Sequence, residues 1–281
     1  MNNKCYVNIC LDTSEDDSGW QDLRIDNKKI SFFQEGLIKG FRGKMKQVQK
    51  GHMLRTHWII EFFADSVFSV KLYVVFSEEE TEKNNRNILY KAIWQLQNDS
   101  SKEDIRQCAS EWIRGSKSLV EYKDLSDFKI CFDGGGFSMI SGKNHFYNFQ
   151  RTVVLACLCL SYNNVFNGFI KKLSDVDMND YNALSDLTMN MNIFAAKWYF
   201  RYPVLLKNNL VPVLWGFISE RFKLNQHYEE LENQLKNVHA LVSQLYRDQE
   251  SKKSSNISFK MSFYLVFLTI LLVVLTLFLV L

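Results

Sequence analysis

The chain has 281 residues, 47% of them apolar and 14% aromatic with only 2 prolines, a composition that excludes intrinsic disorder over most of its length. Its 34 basic and 31 acidic residues leave a net charge of +3, which supports no nucleic-acid partner, because phosphate binders concentrate a larger basic excess. No complete catalytic motif occurs, so a binding or membrane role is expected in preference to an enzyme.

In chain order, Cys5–Cys10 has β composition, and so does Ile30-Ser31-Phe32-Phe33 after the basic pair Lys28-Lys29. The clearest β signal is Trp58–Phe63, a short polar turn, then Val67–Phe76: two aromatic and β-branched runs that predict an antiparallel hairpin. Ser77-Glu78-Glu79-Glu80 has the form of a capping box, a hydroxyl at the helix start with a carboxylate three residues on. It predicts a helix burying Ile88, Leu89, Ile93, Trp94 and Leu96. Ser100-Ser101-Lys102-Glu103 repeats the pattern before a second helix with Ile105, Cys108, Trp112 and Ile113 inside.

After the strand-like Phe128–Phe132 comes Asp133-Gly134-Gly135-Gly136. The three glycines lack a following Lys-Ser/Thr, so Gly134, Gly135 and Gly136 are read as a hinge or domain boundary, not as a phosphate loop. Beyond them His145–Leu173 and Asp177–Tyr202 read as helices, the second ended by Pro203. The apolar run within Thr152–Ile170 is assigned to a buried helix instead of a second membrane span, because Asn163, Asn164 and Asn167 would be costly in lipid.

Pro212 suits the first turn of a further helix. From there Leu224, Tyr228, Leu231, Leu235, Val238, Val242 and Leu245 alternate at spacings of four and three, a coiled-coil seam predicted to join copies of the chain. Met261–Leu281 holds no charged residue and, at about 1.5 Å per residue, matches the hydrocarbon core of a bilayer. It is expected to be a single-pass C-terminal anchor, and Lys252, Lys253 and Lys260 ahead of it place the bulk of the chain in the cytoplasm. Thr269 and Thr276, seven residues apart, fall on roughly one face and are the candidate pore or helix-contact residues.

The six cysteines form no C-x-x-C pair and the five histidines are dispersed, so no metal site is indicated, and the sequence identifies no cofactor. The expected fold class is α+β: a mixed α/β cytoplasmic domain over 1–135, a helical region over 136–211, a stalk over 212–257 and a transmembrane anchor over 258–281. This layout, a mixed α/β domain with a long C-terminal helix running into a span, resembles the CorA-like magnesium transporter superfamily in architecture. The superfamily's Gly-Met-Asn signature and second span are missing here, so the resemblance implies an oligomeric membrane assembly and no ion selectivity. The function expected is therefore a homo-oligomeric membrane protein whose cytoplasmic domain senses a ligand or protein partner and whose tail helices alter permeability. The alternative is a membrane-tethered adaptor with no transport activity, for which any apolar span would serve.

Overall fold

Strand formation starts with Lys4–Leu11 (β1), followed by the two-residue strands Gln21–Asp22 (β2), Arg24–Ile25 (β3) and Lys28–Lys29 (β4), the short helix Glu35–Lys39 (α1), and then Arg42–Lys50 (β5), Met53–Phe62 (β6) and Val70–Ser77 (β7). Ile88–Leu96 (β8), Lys102–Arg114 (α2), Lys123–Leu125 (β9), Phe128–Phe132 (β10) and Gly136–Ser141 (β11) complete the β half. Four helices follow: Phe146–Asp175 (α3), Tyr181–Lys197 (α4), Leu210–Arg221 (α5) and Leu224–Val280 (α6). These elements come from a computed structural model that describes residues 3–11, 19–50, 53–80, 87–97, 102–116, 121–177, 180–207 and 209–280.

Among the described residues nine strands make one sheet in the order β2-β5-β6-β7-β1-β8-β11-β10-β9, with β3 and β4 as a separate ribbon. Every neighbouring pair is antiparallel except β8 and β11, which run parallel and are linked by α2 and the β9–β10 hairpin. β1 lies in the middle, registered Val7↔Phe76 on β7 and Val7↔Ala92 on β8. Because side chains alternate along a strand, Val7, Ile9, Trp58, Ile60, Leu72, Val74, Ala92 and Trp94 share one face and enter the main core. The opposite face carries a smaller cluster of Ile93, Ala109 and Trp112 beneath α2.

The main core lies between the sheet and α3. That helix is buried at every position from Thr152 to Cys159, since the sheet covers one side and α4, α5 and α6 the other. Among the described residues it is the one helix long and apolar enough to cross a membrane, and 67% of its most apolar stretch is buried inside this fold. Two of its buried hydroxyls bond the helix itself, Thr152 to the Asn148 carbonyl at 2.9 Å and Ser161 to the Cys157 carbonyl at 2.8 Å, while Tyr162 donates to the Trp198 carbonyl at 2.7 Å.

The mixed α+β class and the helical C-terminal half agree with expectation, while several elements differ. The capping-box reading at Ser77 fails: Ile88–Leu96 is the strand β8, buried on both faces between β1 and β11, and the Ser77 hydroxyl accepts the Glu79 N–H at 3.3 Å in the turn that ends β7. The second predicted helix is α2, whose proposed caps Ser100 and Ser101 lie outside the described residues. Ile30–Phe33 contributes only an isolated bridge from Phe33 to Val204. The glycine tetrad closes the β10–β11 hairpin, with the Asp133 N–H donating to the Gly136 carbonyl at 2.7 Å. The sheet continues through the boundary drawn at 135, and Gly136 pairs with Lys91 of β8 so closely that a Cβ there would collide with the Lys91 carbonyl.

The stalk also differs. A break at Phe222–Lys223 divides it into α5 and α6, with Lys223 in the left-handed region at φ 52°. The apolar stripe meets this chain's own helices: Leu224, Leu231, Leu235 and Val242 are buried in the main core, Tyr228 stacks on Tyr199 at 4.3 Å, and Val238 packs against the same cluster. Leu245 alone of the seven remains half exposed. The physical reason is that α3 and α4 leave an apolar groove which a heptad-spaced face fills as well as a second copy would.

Candidate functional site

Asp133, the residue after β10, gathers hydrogen bonds from four other residues. It ends β10 at a tight turn, a position that suits a short side chain able to bond nearby backbone, and its Oδ1 accepts the Gly134 N–H at 2.6 Å. Its carboxylate also accepts hydrogen bonds from Arg114 Nε, at the last residue of α2, and from Arg221 Nη2 at 2.9 Å, at the last residue of α5. Its carbonyl accepts the Tyr90 hydroxyl at 3.1 Å from β8. One side chain thus ties the sheet to the C-terminal ends of two helices, where arginine also complements the helix dipole. Burial pushes the Asp133 carboxyl upward, but hydrogen bonds from Arg114, Gly134 and Arg221 outweigh it and hold the group below the usual carboxylate range.

Beside this hub opens a cleft of about 590 Å³ whose walls include Arg114, Tyr122, Lys123, Cys131, Phe217 and Arg221. The Lys123 ammonium lies 4.1 Å from the centre of the Phe217 ring and 3.7 Å from Glu220. The Tyr122 hydroxyl donates to Ser138 Oγ at 2.9 Å, and Arg106 lies over its ring. A second cleft of about 650 Å³, between Arg201, Trp215 and Glu229, shares Phe217, Glu220 and Lys223 with the first. The two clefts therefore flank the α5–α6 joint, which Arg221 attaches to Asp133.

The chemistry available is recognition of polar groups against an aromatic wall. Burial and the neighbouring Asp133 push the Cys131 thiol up to about 11, so it is not a thiolate nucleophile near neutrality. His145 is separated from Asp133 by the length of β11. Its Nδ1 lies 3.1 Å from the Tyr147 hydroxyl and its Nε2 3.9 Å from Asp127. His145 therefore belongs to a separate group with Tyr147 and Asp127 and is not part of the Asp133 hub. Among the described residues no group of three or more His, Cys, Asp or Glu side chains is placed to hold a metal ion, and all six cysteines are free.

The hub was not legible in the sequence. Arg114 and Arg221 lie 19 and 88 residues from Asp133, and no motif spacing joins them. Thr269 donates its hydroxyl to the Leu265 carbonyl at 2.7 Å within its own helix, whereas the Thr276 side chain lies outside the described residues. No family model, curated protein or solved structure matches the chain.

Proposed function

We propose that the chain is a membrane-tethered binding module: α6 carries an α+β head to a bilayer, where the head meets a ligand or protein partner without conducting ions. The observation that carries this reading is the stretch of α6 from Ile257 to Ile270. Ile257, Phe259, Met261 and every large apolar side chain from Phe263 to Ile270 are exposed, Tyr264 at 71% and Phe263 at 68%. Leaving a large apolar side chain in water forgoes about 1.5–3 kcal/mol, so ten of them would cost more than the roughly 5–15 kcal/mol that stabilises a typical domain. An apolar surround removes that cost. The sequence stays uncharged from Met261 to Leu281, and about 30 Å of helix over this stretch matches a hydrocarbon core. Tyr264 near its start suits the interface, and the lysines just before it favour a cytoplasmic head.

The adaptor reading is preferred over permeability for two reasons. The stripe that would have bundled copies of α6 packs on α3 and α4, and the Thr269 hydroxyl is satisfied by its own backbone. Full-length protein reconstituted into dye-loaded vesicles should sediment with lipid and release no dye. Leakage that disappears in a Thr269→Leu, Thr276→Leu variant with unchanged insertion would restore the permeability mechanism. A chain lacking 261–281 should leave the lipid fraction, and its retention as an integral protein would mean that α3 is the span.

A further inference from the structure

α6 parts from the head at Tyr246, which stacks on Tyr181 at 5.0 Å and donates its hydroxyl to Glu250 at 3.2 Å. Residues 247–260 beyond it are exposed on every side, a free helical segment of roughly 21 Å at about 1.5 Å per residue. Charge along it is sorted. Arg247, Asp248 and Glu250 lie at the head end, and from Ser251 to Leu281 the only charged residues are Lys252, Lys253 and Lys260. The three ammonium groups cap no helix end, and among the described residues no carboxylate lies within ion-pair distance of them. Lys253 and Lys260 are seven residues apart, so they share a helix face about 10 Å apart along the axis, with Lys252 one position round. Four exposed hydroxyls, Ser251, Ser254, Ser255 and Ser258, are interleaved with them.

On the membrane reading above, Lys260 directly precedes the first residue of the uncharged run, and the other two lysines lie within side-chain reach of the head-group layer. We propose that Lys252, Lys253 and Lys260 form a contact surface for anionic lipid head groups, with the interleaved serines donating to phosphate oxygens. Among the described residues no part of the head pairs with these charges, and their sorting away from Asp248 and Glu250 leaves a purely cationic collar where the helix enters lipid. The head's own cation-lined cleft is a separate matter, because it lies at the opposite end of α6, beside Lys223. Each lysine near an anionic surface contributes roughly a fivefold preference, so three give on the order of a hundredfold, weakened by salt because exposed charges are screened over about 8 Å.

The test uses full-length protein in discs of equimolar phosphatidylcholine and phosphatidylserine, with the lipid retained after mild detergent extraction counted by native mass spectrometry. Wild type should retain phosphatidylserine tens of times over phosphatidylcholine in low salt, and the ratio should fall toward one in 0.5 M salt. The Lys252→Gln, Lys253→Gln, Lys260→Gln variant, which keeps helix propensity and touches no core residue, should retain both lipids equally. Retention of the two lipids in their mixing ratio by wild type overturns the proposal, and so does undiminished enrichment in the variant. Inorganic phosphate at constant ionic strength should leave the ratio unchanged, and competition by it would mean a discrete phosphate site instead of a lipid surface. A chain that retains no lipid and stays dispersed without detergent overturns the membrane reading itself, a result distinct from loss of lipid preference.

Discussion

Replacing Asp133 with alanine removes the acceptor shared by Arg114, Arg221 and the Gly134 N–H. Hydrogen bonds to a charged group contribute roughly 1.5–3 kcal/mol each when buried. The carboxylate side chain is 12% exposed, but the arginine side chains keep 38% and 46% of their surface in water, so screening reduces the pair to the low end. A loss of about 2–3 kcal/mol follows, which for a domain of this size lowers the melting temperature by roughly 4–12 °C. The assay is thermal melting of the full chain in detergent, followed by tryptophan fluorescence. The pH dependence has a definite sign. The folded carboxyl titrates below its ordinary range, so its contribution is complete above the unfolded value of about 3.9 and is lost as pH falls through the folded value. The gap between wild type and Asp133→Ala should therefore be constant from pH 7 to 5 and narrow below about 4. The reasoning is refuted if Asp133→Ala melts within 1 °C of wild type, or if Arg114→Gln plus Arg221→Gln costs as much in the alanine background as in wild type.

Two further outcomes are expected. Leu235→Ala should lower head stability by about 2–5 kcal/mol, since Leu235 is 2% exposed among α3 and α4, while the light-scattering mass of the solubilised particle stays unchanged; a changed mass with unchanged stability would return the stripe to a contact between copies. Cys157 and Cys159 are fully buried with thiols pushed well above their ordinary range, so at pH 8 a thiol reagent should modify partly exposed Cys108 first and these two only on unfolding. Rapid labelling of Cys157 in the native chain would contradict the core position of α3.

The elements that the sequence disclosed are those whose environment matches a simple periodicity. The β6–β7 hairpin is two aromatic and β-branched runs around a short polar turn, and α3, though apolar nearly all round, is too long for a strand. β8 differs from the helix expected there because a strand buried on both faces loses its period of two, and Ile88, Leu89, Ile93, Trp94 and Leu96 then fit a helix equally well. β5 went unseen for the opposite reason. It lies next to the sheet edge, where Arg42, Lys44 and Lys46 give it a polar surface of the kind that discourages strand addition. The α5–α6 break carries neither glycine nor proline, since Lys223 takes the left-handed conformation itself. The heptad stripe was legible as an apolar face, but spacing says nothing about whose surface covers it.

The central place of β1 governs the order in which the sheet can be assembled on the ribosome. Val7 and Ile9 have no strand beside them until β7 emerges at Val70, and their second neighbour, β8, ends at Leu96. At about 5–20 residues per second this leaves two strand edges of an apolar segment uncovered for roughly 4–20 s during synthesis. Hairpins β5–β6 and β6–β7 can close in that interval because their partners are adjacent in sequence, forming a template onto which β1 then adds. Nascent chains stalled before β7 should thus bind holdase chaperones through β1, and those stalled after β8 should release them.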